Sequence, residues 1–199
     1  MTDAVIVIAR LYEAIQPMDR GDRYEDPLDA ALTTRQVGSV TGGGSQLNED
    51  GGIEFAEVEI ELTNFDEGLA VAIEVLERAG APEGSEIRRD DVVIRQFGTQ
   101  QCVAIYLDGV SLPDEVYAEL DFDALVEKLT SAAGEDSYHG VSQGADETAL
   151  FFFGPNAEEM VARIEPVLRA QPIGQNARVV VRAGKPGLPS RTIRLPRQS

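Results

Sequence analysis

Apolar positions change period several times along the chain, and those changes divide it into short elements. Residues 4–11, AVIVIARL, form an unbroken apolar and β-branched run, which predicts a buried strand. Residues 53–62, IEFAEVEIEL, alternate instead. Ile53 and Phe55 keep one phase and Val58, Ile60 and Leu62 the other, so a β-bulge is expected near Ala56 and Glu57. Glu57, Glu59 and Glu61 then share the opposite face. A helical period takes over at Phe65, with Phe65, Leu69, Ala72, Ile73 and Leu76 on one stripe. Asn64 or Thr63 supplies its N-cap, Gly80 its end, and Pro82 bars continuation.

Weaker signals fill the gaps. Residues 16–25 are polar and turn-rich and read as a solvated loop. Asp26-Pro27 reads as an N-cap with proline at the first helical position, opening a short helix that stops at Gly38. A glycine-rich strand follows at 39–47, then a turn at 48–52, and further strands at 85–88 and 92–97. The second half repeats the plan. Strands are expected at 101–107, 137–142, 148–153 and 178–182, with a linker at 109–119. Helices are expected at 122–133 after Asp121 and at 157–170 after Asn156, where Pro166 should kink or stop the second.

Each half thus reads β-α-β-β-α-β plus one extra strand, and VVIRQF at 92–97 is echoed by RTIRLP at 191–196. The expected fold is α+β: tandem duplicated ferredoxin-like units over 1–98 and 99–199, with antiparallel sheets, helices on one face and one compact body. In the second unit Phe151 and Phe153 should share one sheet face and Phe152 the other.

Charge narrows the partners. The formal net charge is −18, and it is unevenly spread. All 35 acidic residues lie at or before Glu165, and the seven charged residues after it are basic. A strongly acidic body disfavours nucleic acid and anionic membrane and favours a basic protein surface. The basic tail, with its strand-like 192–195, is expected to lie against that body or against another copy, so a homodimer is compatible. No apolar run approaches the roughly 20 residues that span a bilayer. The start, MTDAVIVIAR, carries an acidic residue where a signal peptide wants positive charge and its apolar run is too short, and a single cysteine, Cys102, excludes an intrachain disulfide; these features point to the cytoplasm.

Few residues invite chemistry. Thr41, Gly42, Gly43, Gly44 and Ser45 form the most distinctive local sequence. Glycine-rich turns can cradle phosphate, but no P-loop lysine follows here. A strand bulge, or an edge strand open to backbone pairing, fits better. The carboxylate row on the following strand could attract a metal, but hard-cation sites draw ligands from several segments, so a solvated or partner-binding face is expected. His139, the single histidine, adjoins Tyr138. It could act as a base or haem ligand, but it has no signature around it and cannot build a multi-histidine zinc site. Neither a cofactor nor a metal is expected.

The runs DPLDAALTTRQVGSVTGGGSQL, GGIEFAEVEIEL and FDEGLAVAIEVLERAGAP resemble a recurring class of bacterial acidic α+β proteins of unassigned activity. The resemblance covers about residues 26–84 and brings no catalytic residues. Size, charge and fold class also resemble immunity proteins that neutralise a toxin. The leading expectation is a non-catalytic acidic module that masks a basic partner protein, using Glu57, Glu59 and Glu61 and the VTGGG edge. The alternative is a small-molecule or enzymatic site in a cleft between the repeats, near Thr41, Ser45, Tyr138 and His139.

Overall fold

A computed structural model of the chain describes residues 4–47, 52–182 and 190–196. The turn expected at 48–52 falls, up to residue 51, outside the described residues, as do Lys185, Pro186, Pro189 and Arg197. The chain divides into two units, Met1–Thr99 and Gln100–Ser199.

The first unit runs β1 (Val5–Leu11), α1 (Pro17–Arg20), a π-helical turn (Gly21–Glu25), α2 (Asp26–Arg35), β2 (Gly38–Leu47), β3 (Ile53–Leu62), α3 (Phe65–Arg78), β4 (Ser85–Arg89) and β5 (Val92–Phe97). Its strands lie in the order β2-β3-β1-β4-β5, every neighbouring pair antiparallel. The second unit runs β6 (Gln101–Asp108), α4 (Asp114–Ala118), α5 (Phe122–Ala133), β7 (Tyr138–Gln143), β8 (Glu147–Gly154), α6 (Ala157–Arg169), a 3-10 turn (Pro172–Gly174), β9 (Arg178–Arg182) and β10 (Ser190–Arg194). Its order is β10-β9-β6-β8-β7, the same arrangement strand for strand. The protein is therefore α+β, with two antiparallel five-stranded sheets carrying helices, consistent with duplicated ferredoxin-like units. The echoed segments 92–97 and 191–196 supply β5 and most of β10, each at the corresponding sheet edge.

Each core forms where the alternating strands meet the helical stripes. In the first unit Val7, Ala9 and Leu11 of β1 and Val58, Ile60 and Leu62 of β3 pack with Val71, Ala72 and Leu76 of α3. In the second, Val103, Ile105, Leu150 and Phe152 meet Leu125 and Leu129 of α5 and Ile164 of α6. The three amphipathic helices start where a side chain accepts a backbone N–H: Asn64 from Glu67, Asp121 from Ala124 and Asn156 from Glu159. Each such cap stabilises its helix by about 1 kcal/mol.

Five local expectations need correction. Residues 17–25 are helical rather than a solvated loop, because Tyr24 is fully buried in the first core and draws the backbone inward. Gly38 opens β2, and the left-handed residue ending α2 is Gln36 at φ 57°. The pairing of β1 with β3 runs without a break from Val5 to Leu11, so β3 has no bulge at Ala56 and Glu57. The β2–β3 pairing shifts register at two other places, with Thr41 the extra residue in β2 between Val40 and Gly42, and Glu54 the extra residue in β3 opposite Gln46 and Leu47. Phe55 therefore shares the face of the glutamates, where the Arg10 guanidinium covers its ring at 4.0 Å. The segment 109–119 contains α4. Finally, α6 does not stop early at Pro166 but runs on to Arg169, since that proline deprives only one carbonyl, that of Ala162, and the buried stripe of Met160, Val161, Ile164 and Leu168 holds the helix down.

The basic C-terminal strand is tied into its own unit. β10 pairs with β9 from Ser190 opposite Arg182 to Arg194 opposite Arg178, Arg191 forms an ion pair with Glu158 of α6, and Leu195 is buried in the second core.

Candidate functional site

The glycine-rich strand is shaped by what packs on it. Arg20 and Glu25 are five residues apart, and the π-helical turn brings them side by side, Arg20 Nε donating to Glu25 Oε1. Arg20 Nη1 also donates to the Gly44 carbonyl at 2.8 Å and to Ser45 Oγ at 3.1 Å. A Cβ on Gly43 would lie 2.5 Å from Glu25 Oε1 and 2.9 Å from Arg20 Nη2, so glycine there admits the ion pair. At the other end of the strand the Val40 N–H donates to Asp29 Oδ1 of α2 at 2.9 Å. Side chains thus occupy the β2 backbone at Val40 and Gly44, two points where an added strand would need to bond.

Beneath this pair lies a buried one. Glu13 is 1% exposed; its carboxylate accepts from Tyr24 Oη at 2.7 Å and from Arg23 Nη1 at 3.2 Å. Burial, reinforced by the Glu13 charge, pushes the Tyr24 hydroxyl well above its usual pKa. These contacts lock residues 13–25 against the sheet and leave the group little room for chemistry.

The glutamate row is largely engaged within its own unit. Glu57 accepts from Arg10 at 2.7 Å and Glu59 from the Thr41 hydroxyl at 2.7 Å, while Glu61 is half-buried. No group of three or more His, Cys, Asp or Glu side chains among the described residues is arranged to hold a metal ion. Tyr138 and His139 are not brought together. Tyr138 packs on Phe152 and the helix-side core, with rings 5.5 Å apart. His139 stacks on Phe153 of the other sheet face at 4.7 Å. Phe151, Phe153 and Cys102 are buried.

Two features carry no strong signal in the sequence. The first is the β5 edge. Val92 is 63% exposed, Val93 40% and Ile94 37%, on a strand that, among the described residues, pairs with β4 alone. The second is a half-open cavity of about 340 Å³ in the second unit, between α4, the start of α5 and the 3-10 turn. Val116, Leu120, Leu125 and Ile173 line its apolar side, and Glu115, Glu119, Asp121 and Lys128 its polar side. A hydrogen-bonded knot fixes the loop leading into α4. Asp108 accepts from the Val110 and Ser111 N–H groups, from the Ser111 hydroxyl and from Asn176 Nδ2 at 3.0 Å. Burial alone would raise the Asp108 carboxyl, but these bonds outweigh it and hold it well below the usual carboxylate range. Tyr117 Oη accepts from the Leu112 N–H at 2.9 Å, tying α4 to the same loop. Opposite, a Cβ on Gly174 would lie 2.0 Å from the Leu168 carbonyl oxygen, so only glycine lets the 3-10 turn close against the end of α6.

No helix among the described residues is long and apolar enough to cross a membrane. No family model matches the chain, and no curated protein matches it. Solved structures similar to it include a Fusobacterium nucleatum subsp. nucleatum ATCC 25586 protein provisionally named a monooxygenase, at 12% identity over 100% of both chains with a TM-score of 0.31. A second provisionally named monooxygenase, from Lactobacillus acidophilus NCFM, is 13% identical over 83% of this chain and 85% of that one, with a TM-score of 0.25. The first two RRM domains of the yeast poly(U)-binding protein are 11% identical over 96% and 98%, with a TM-score of 0.23. Superpositions this loose carry no information on activity.

Proposed function

We propose that this chain is a non-catalytic protein-binding module that takes an extended segment of a basic partner at the β5 edge of its first unit. In this reading each unit is a ferredoxin-like βαββαβ sandwich with one strand added, and the added strand of the first unit is the docking edge. The observation that carries the proposal is the contrast between the two edges of one sheet. The β2 edge is occupied at Val40 and Gly44 by Asp29 and Arg20, whereas β5 presents Val92, Val93 and Ile94 to solvent. An exposed apolar edge strand is a template for strand addition, its free N–H and C=O groups giving affinity and its alternate side chains specificity.

Charge selects the partner. Residues 1–99 hold 21 acidic residues against 8 basic ones, a formal charge of −13. That excess speeds encounter with a basic chain and repels nucleic acid. A toxin masked by an immunity-type protein is the member of this class that the sequence resemblance suggests.

The test is capture of the tagged chain's partner from its own host at low and high salt, followed by hydrogen exchange on the purified complex. Protection centred on 92–97, lost together with binding in Val93→Lys, is the expected result. A partner that protects other segments and binds Val93→Lys unchanged overturns the proposal.

A further inference from the structure

We infer that the cavity between α4, α5 and the 3-10 turn of the second unit is a binding site for a small organic cation with an apolar body. Its size, about 340 Å³, falls at the lower end of sites that enclose small molecules. Its floor is continuous with the core, for Leu125 is 2% exposed and Ile173 4%, with Val116 and Leu120 packed against the same cluster. A ligand without an apolar body would leave that floor wet.

The polar side selects the sign of charge. Glu115, Glu119 and Asp121 face a single ammonium, that of Lys128, around the mouth. Asp121 has one oxygen committed to the Ala124 N–H at the start of α5. Glu115 and Glu119 lie four residues apart along α4 and its C-cap, and no described residue pairs with either carboxylate. Two unengaged carboxylates beside an apolar floor recognise an ammonium or amidinium group carried on a hydrocarbon or aromatic body, and they repel carboxylates and phosphates of the same shape.

The walls are held before any ligand arrives. Asp108, Ser111 and Asn176 knot the loop before α4 to the segment following the 3-10 turn, and Tyr117 clips α4 to that loop through the Leu112 N–H. A cavity whose walls are fixed in advance binds without the cost of ordering them.

The experiment is a titration of the 15N-labelled full chain with 1-naphthylmethylamine and, separately, with 1-naphthoate, which offers the same ring with the opposite charge. The amine is expected to shift amide signals of residues 115–128 and 171–173, and the carboxylate to leave them unmoved. Glu115→Gln combined with Glu119→Gln, both exposed positions, should weaken the amine about fivefold or more and flatten its salt dependence. Val116→Trp, which fills the floor, should abolish the shifts while the rest of the spectrum stays folded. Equal binding of the carboxylate, an unchanged affinity in the double variant, or amine-induced shifts confined to other residues would each overturn the assignment. So would an absence of amine binding up to millimolar concentration. Strand addition at β5 does not depend on any of these outcomes.

Discussion

Three consecutive glycines in β2 should respond differently to the same substitution. A Cβ on Gly44 meets nothing within 4 Å and one on Gly42 only the Glu59 Cβ at 4.0 Å. Neither glycine has a positive φ, so alanine at either position is unstrained. Replacing glycine there removes conformational freedom from the unfolded chain, and Gly42→Ala and Gly44→Ala should be neutral or stabilising by up to about 1 kcal/mol. Gly43→Ala is another matter, because its methyl would overlap Glu25 Oε1 at 2.5 Å and Arg20 Nη2 at 2.9 Å and would crowd the Glu57 carbonyl oxygen at 3.0 Å. The side chains must swing away, and Arg20 then gives up its bonds to Glu25, the Gly44 carbonyl and Ser45. Hydrogen bonds to a charged group contribute about 1.5–3 kcal/mol each at most. The freed groups recover part of that in water, since the side chains are already 10% and 23% exposed, and the alanine entropy gain offsets a little more. A net loss of about 1–3 kcal/mol remains. Urea unfolding of the three single variants measures it as a shift in midpoint at constant slope. In an Arg20→Met, Glu25→Gln background the Gly43→Ala penalty should shrink by at least half, because the groups it displaces no longer form an ion pair. If Gly43→Ala matched its two neighbours within about 0.3 kcal/mol, the packing argument for this strand would be wrong.

Two more substitutions probe buried polar groups. Tyr24→Phe removes the donor to a carboxylate that is itself 1% exposed, and should lower stability by about 1–3 kcal/mol in the same urea assay; a change under about 0.5 kcal/mol would mean that Glu13 finds water there. The Asp108 knot should appear in the acid limb of stability. Its folded pKa lies below the unfolded value of about 3.9, so its contribution is complete above that pH and is lost as pH falls through the folded pKa. Thermal melts from pH 7 down to pH 2 should therefore show a shallower acid decline in Asp108→Asn than in the parent chain, and superimposable declines would count against the knot.

The elements that could be read from the chain are those whose cause is local. The helices after Asn64, Asp121 and Asn156 announce themselves because cap, apolar stripe and terminator lie within one short window. The strands of both sheets follow from alternation or from β-branched runs, and the repeated order of elements is visible for the same reason. Residues 17–25 were illegible because their helicity depends on Tyr24 reaching a core and on Glu13, eleven residues away, accepting its hydroxyl. The five-residue α4 is too short to show a period, and it is held by Tyr117 and by the knot to Asn176, which comes 68 residues after Asp108. The apolar pattern places Phe55 with the core residues, whereas Arg10 offers its ring a guanidinium on the other face.

The candidate sites divide in the same way. The sequence marked Thr41 to Ser45 and the row Glu57, Glu59 and Glu61 as distinctive, since unusual composition is a one-dimensional property. Only the tertiary structure showed Arg20 and Asp29 bonded to that strand and Arg10 and Thr41 bonded to two of those carboxylates. It also placed the adjacent Tyr138 and His139 on opposite faces of a sheet. The order of elements and the asymmetry of charge were determined by the chain alone, because each is a sum over neighbours in sequence. The free edge at β5 and the cavity beside α4 were decided by folding, because an edge exists only once its sheet is ordered, and a cavity only once separate segments close around the same space.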